Sequence, residues 1–212
     1  MITNMRLALN HELCPSGQGG VVLLVFALLL SAWPGVAVSQ TNSAPPVVVS
    51  LPAGAMSRIP SPGGRWTLIF ECPDDCSERK LSIEDNDRHV RRFIKDYDRS
   101  LSISWAPDAE HFFVNDAWGS NGESCLVYEP AMLTTVDVAT ILLANDPEVK
   151  TFLDTGHSYV QATRWISAGK LLVVLFGHFN DPPARGFTLR YRVDLNGKAQ
   201  KISQKWSEQP PQ

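Results

Sequence analysis

Three stretches of this chain repeat one another, and that repetition limits the fold more than any other feature of the sequence. They are residues 61–70 (SPGGRWTLIF), 106–115 (APDAEHFFVN) and 166–175 (ISAGKLLVVL). Each opens on a tight turn of Pro, Gly, Asp or Ser and enters a short strand of β-branched or aromatic residues. A polar loop and a second strand follow each one, at 80–84, 125–129 and 187–193. Ahead of the second and third turns lie SLSISW (100–105) and SYVQATRW (158–165), both ending in Trp two residues before Pro107 or Ser167. Self-similarity at a period of roughly 40 to 50 residues marks stacked supersecondary units. A single small meander cannot bury its own apolar face, so neighbouring units must cover one another.

The units run over 55–94, 100–138 and 159–202. The expected fold is therefore all-β and mainly antiparallel: three four-stranded meanders with one short inserted helix. That helix is expected over 146–153, with Asp146 as its N-cap and Pro147 at the first helical position. A β-sandwich of about ten strands is the alternative arrangement of the same segments. The units resemble the blades of WD-repeat and TolB-like β-propellers. In that family a strand ending in Trp or Phe is followed by Ser-Pro-Asp-Gly-Lys and then a buried strand. Trp105-Ala106-Pro107-Asp108 and Ser61-Pro62-Gly63-Gly64-Arg65 match well, whereas Trp165-Ile166-Ser167-Ala168-Gly169-Lys170 has lost the Pro. The resemblance covers residues 55–203 and speaks to architecture, not to activity. Closed propellers typically have four or more blades. Three units therefore imply an open arc of sheets, or a ring completed by a second chain.

An apolar run at 21–30 (VVLLVFALLL) follows Arg6 and precedes Pro34-Gly35 and Ala37-Val38-Ser39. Small residues at Ala37 and Ser39 form the cleavage pattern of a secretory signal, with Gln40 as the expected mature N-terminus. The rival is an uncleaved anchor, but the run to Val38 barely approaches the roughly 20 residues a span needs, and Pro34-Gly35 interrupts it. Cys14 precedes the apolar run, which argues against a lipoprotein. The expected organisation is a signal peptide at 1–39, a linker at 40–54, a β domain at 55–206 and a tail at 207–212. The protein is then secreted or periplasmic, with no stable membrane span after cleavage. Cys72-Pro73-Asp74-Asp75-Cys76 sits between two strand-like runs, where a Cys72–Cys76 disulfide could staple the loop. Cys125 would remain a buried thiol. A pairing of Cys125 with Cys72 or Cys76 is the open alternative.

Lys and Arg number 19 against 22 Asp and Glu in 212 residues, and that near-balance argues against a nucleic-acid binder. GHSYV (156–160) and GESCL (122–126) lack the last Gly of Gly-x-Ser-x-Gly and do not join a strand to a helix, so no catalytic serine is assigned. His89, His111, His157 and His178 lack the close spacing of metal pairs, and no phosphate-cradling loop exists, so no metal or cofactor is expected. The basic run 88–95 (RHVRRFIK) reads as the outermost strand of the first unit, its charges guarding a sheet edge. The alternative for that run is a small anion-binding patch. If each unit is strands a to d, the b–c loops at 72–79, 116–124 and 177–185 share one rim. That rim would gather Asp116, Trp118, Ser120, Asn121, His178, Asn180 and Asp181, with Asp74 and Asp75, as a binding site. The plainer alternative is a stable hairpin loop with Trp118 packed over it. Function is read as an exported, non-enzymatic interaction module whose partner is another envelope or secreted protein, or a second copy. A small secreted hydrolase or carbohydrate-binding protein using the rim carboxylates is the alternative.

Overall fold

The computed structural model describes residues 47–52, 54–73, 78–180 and 185–208. A short strand, β1 (Val49–Leu51), precedes the repeats. The first sheet is the antiparallel meander β2 (Met56–Pro60), β3 (Trp66–Glu71), β4 (Lys80–Asp85) and β5 (Val90–Asp96). The second is β6 (Leu101–Trp105), β7 (Phe112–Asp116), β8 (Gly122–Tyr128) and β9 (Thr135–Asp137), with β1 added antiparallel along β6. Two short helices follow, α1 (Val138–Asn145) and α2 (Val149–Leu153). The third sheet is β10 (Ser158–Ser167), β11 (Lys170–His178), β12 (Gly186–Asp194) and β13 (Lys198–Ser207), again an antiparallel meander. Ser158 and Tyr159 of β10 run parallel to Gly122 and Glu123 of β8, which joins the second and third sheets edge to edge. The three expected meanders are present, with borders within a few residues of the repeats.

The inserted helix differs from expectation. Two helices occupy the segment, and α1 starts on Asp137, whose Oδ1 accepts from the Ala139 N–H at 2.9 Å. Asp146 closes α1, donating its N–H to the Leu142 carbonyl at 2.9 Å. Pro147 cannot extend α1, because its ring occupies the N–H position and clashes with the preceding turn. The chain therefore bends there, and Asp146 Oδ1 accepts from the Glu148 N–H at 3.2 Å, just ahead of α2. Asp146 also holds this bend to the third sheet, accepting from the Tyr191 hydroxyl at 2.8 Å and pairing with Lys201 at 2.7 Å.

Burial explains why β7 reads as FFVND, with no alternation. Phe112 and Val114 face the first sheet, in an apolar cluster with Trp66, Leu68, Phe70, Ile103 and Trp105. Phe113 faces the other way, into a cluster with Cys125, Val127, Val160, Ala162, Trp165 and the helix residues Val138, Leu142 and Phe152. A strand buried on both faces needs apolar residues in succession.

The sheets are also tied through their innermost strands. The Trp105 indole donates to the Ile59 carbonyl on β2 at 3.1 Å, and the Trp165 indole donates to the Ser104 carbonyl on β6 at 3.1 Å. Each Trp lies at or near the end of its inner strand and reaches the carbonyl one residue before the matching position in the preceding sheet. In the first unit that position is Pro60, and among the described residues only the short strand β1 precedes that unit. Asn115 makes a second tie: Nδ2 donates to the Ala162 carbonyl and Oδ1 accepts from the Ala162 N–H, both at 2.9 Å. The β10–β11 register shifts between Ala162 and Arg164, and the Asn115 amide serves the buried Ala162 backbone as a neighbouring strand would. Among the described residues, no helix is long and apolar enough to cross a membrane.

Replacing Asn115 by Leu keeps the volume but strands both polar groups of Ala162. At about 1–3 kcal/mol for a buried unsatisfied group, the variant should lose roughly 2–4 kcal/mol in urea unfolding followed by Trp fluorescence. An unchanged midpoint would show that the bridge contributes nothing.

Candidate functional site

The rim residues separate into two groups once strand faces are known. Asp116 is the last residue of β7, only 3% exposed, and its Oδ2 pairs with Lys95 Nζ of β5. Its Oδ1 is buried without a hydrogen-bond partner among the described residues. Tyr97 and Tyr128 lie close by; burial pushes both hydroxyls upward, and the Asp116 charge adds to the effect. Asp116 is thus a clamp between the first and second sheets. Trp118 is 51% exposed, and its ring lies over Gly122 so closely that a Cβ there would come within 2.0 Å of it. Trp118 therefore caps its own hairpin loop.

The other described rim residues meet where the β7–β8 loop reaches the ends of β10 and β11. The Ser120 carbonyl accepts from the Tyr159 hydroxyl at 2.7 Å, and the Asn121 carbonyl accepts from the Ser158 N–H at 3.2 Å. His178 stacks on His157 with ring centres 4.2 Å apart. Burial, and secondly the neighbouring His157, hold His178 below the usual imidazole range. Asn180 Nδ2 donates to the Thr155 carbonyl at 3.4 Å. Asp74, Asp75, Cys76 and Asp181 lie outside the described residues. Cys72 is buried at the end of the first sheet's b strand. Cys125 is a free, buried thiol whose ionisation burial pushes up.

The corner continues onto a surface that the sequence did not single out. Leu171, Val173 and Leu175 of β11 point into the core, while Leu172, Val174 and Phe176 point the other way. These last three are half-buried and belong to neither apolar cluster. Tyr159 stacks on Phe176 with ring centres 4.9 Å apart, one step along from the histidine pair. Arg164, Arg190 and Arg192 share this outer face and make no ion pair among the described residues. Lys170 pairs with Asp194 at 3.6 Å beside them. Glu123, next to Tyr159 across the parallel junction, borders the face and is hydrogen-bonded to Gln161.

At the opposite end of the stack the charges are paired, beside an exposed Phe93 and Met56. On the outer face of the first sheet, Arg58 pairs with Glu84 at 2.5 Å, and Arg91 pairs with Glu71 while also reaching Ser82. Two members of the basic run reach toward the second sheet. Arg92 donates to the Pro130 and Ala131 carbonyls and lies over the Trp66 ring, and Lys95 holds Asp116. Among the described residues, no group of three or more His, Cys, Asp or Glu side chains could hold a metal ion.

No family model and no curated protein sequence matches the chain. Among solved structures it is similar to an acylaminoacyl peptidase of Pyrococcus horikoshii, at 13% identity and a TM-score of 0.42, covering 72% of this chain and 25% of that one. It is also similar to a chain from a structural and mechanistic analysis of two prolyl endopeptidases, at 12% identity and a TM-score of 0.34, covering 75% of this chain and 28% of that one. The chain thus spans about a quarter of the length of either.

Burial raises the Glu123 carboxyl from 4.5 to about 7. The folded state therefore keeps a proton that the unfolded state gives up, and stability falls as pH rises through that interval. Glu123→Gln removes the ionisable group. Its melting point should match the wild type near pH 4.5, the unshifted value. At about pH 8 the variant's unfolding free energy should exceed that of the wild type by on the order of 1 kcal/mol, allowing for partial exposure, and its melting point should be higher. Parallel pH–melting curves for the two proteins would show burial to be ineffective here.

Proposed function

We propose that this chain is an exported, non-enzymatic interaction module related to the WD-repeat and TolB-like propellers. It binds another envelope or secreted protein on the outer face of the third sheet and the loop corner at its end. One observation carries the proposal: Leu172, Val174 and Phe176 form an apolar strip on the third sheet, outside both cores, beside three arginines that make no ion pair among the described residues. Apolar and aromatic side chains mixed with Arg are the composition of protein interfaces. Ser120, Asn121, His178 and Asn180 border the strip and give it a polar rim. The signal pattern ending at Ser39 and a Cys72–Cys76 staple fit an oxidising, extracytoplasmic destination.

A photo-reactive amino acid at Val174 should yield a discrete protein adduct in the producing cell, and Phe176→Asp should abolish it. The same probe at Phe93, on the outer face of the first sheet, should yield none. Absence of any adduct at Val174 would overturn the assignment. For export, the N-terminus of the extracytoplasmic protein should read Gln40, and its mass should rise by one hydrogen pair on reduction. A retained leader would refute the cleavage.

A further inference from the structure

The partner's chemistry can be taken further, on the basis of that docking face. We infer that the face receives an acidic polypeptide segment of another protein, with alternating apolar and carboxylate side chains, and not a second copy of this chain. Although the chain as a whole carries a net charge of -3, the outer face of the third sheet concentrates cations. Arg164, Lys170, Arg190, Arg192, Lys198 and Lys205 lie there by strand register, against Asp194 on the face and Glu123 at its border. Guanidinium groups without partners match carboxylates in two-pronged hydrogen bonds. Leu172, Val174 and Phe176 recur every second residue, about 6–7 Å apart, which is the spacing of one side of an extended segment.

The repeat itself argues against a second copy. Each added sheet so far brings a Trp whose indole bonds the preceding inner strand, Trp105 to Ile59 and Trp165 to Ser104. The next acceptor in that series is the Arg164 carbonyl, but the first sheet of a copy would present Pro60 where the Trp belongs. That sheet's outer face also has its charges matched already, through Arg58–Glu84, Arg91–Glu71 and Lys80–Glu78. It brings no surplus carboxylates to the arginines of the third sheet.

The probe is a fluorescent peptide of about ten residues alternating Glu and Val around a central Trp, with a Lys-for-Glu counterpart, titrated against the full chain by anisotropy. The Glu peptide should bind, the Lys peptide should not, and affinity should fall about tenfold or more between low salt and about 0.5 M salt. Arg190→Glu with Arg192→Glu should weaken binding at least about tenfold, and the milder Gln pair should weaken it less. Arg99→Glu, which changes charge on the loop before β6, should leave binding intact. Equal binding of both peptides, or indifference to the Arg190 and Arg192 changes, would overturn the inference. So would binding to phosphatidylglycerol vesicles without binding to the peptide, or light scattering that shows a dimer dissociated by Arg192→Glu. If the peptide fails while the Val174 adduct persists, only the acidic chemistry falls; if both fail, the docking face falls with it.

Discussion

The indole N–H at the end of an inner strand organises this molecule. Hydrophobic contact between stacked sheets is non-directional and would allow them to slide. A hydrogen bond from Trp105 to Ile59, repeated from Trp165 to Ser104, fixes the stagger between one sheet and the next. Asn115 does the same deeper in the second interface by completing the Ala162 backbone. With those registers fixed, β7 can be apolar on both sides, and the middle sheet becomes the shared core of its two neighbours. The polar ties thus decide which apolar surfaces meet, and apolar burial supplies most of the free energy once they have met.

The same rule makes the two ends of the stack unequal. The first sheet carries Pro60 in place of Trp and pairs the charges of its outer face across strands. The third sheet reaches back through Trp165, while its outer strip keeps Leu172, Val174 and Phe176 away from both cores. One end matches its charges in ion pairs, and the other leaves three arginines without an ion pair among the described residues.

The parts of this arrangement that were legible in the sequence are those encoded locally. Turn chemistry at Ser61-Pro62-Gly63-Gly64 and Ala106-Pro107-Asp108 is set within a few residues: Ser61 Oγ accepts from the Trp66 N–H at 3.0 Å, and Gly63 and Gly64 have φ of +77° and +74°. The three meanders could therefore be read from those signals. Helix α1 was missed because VATILLAN has no periodic polar face; it is shaped by the Asp137 cap and by burial of Val138, Ile141 and Leu142. Asp116 looked like a loop carboxylate because it ends a strand, and only pairing across sheets reveals Lys95 as its partner. The Tyr159–Phe176 and His157–His178 stacks were hidden for another reason. Register shifts between Ala162 and Arg164 and between Trp165 and Ser167 move every pairing beyond them, so counting outward from the turn gives the wrong partners.

A three-sheet stack must also avoid growing in the wrong direction. Its last edge is β13, a ten-residue strand whose outer side has no strand beside it among the described residues. An edge of that length invites strand addition. Lys198, Lys201 and Lys205 stand along it, and an incoming strand would have to desolvate them. Lys201 is anchored inward on Asp146 and Glu148, so the edge is also tied to the helical insertion. With the edge guarded in this way, association through the face would be less costly than strand addition. There side-chain chemistry can discriminate among partners, whereas backbone pairing along an edge would accept almost any extended chain.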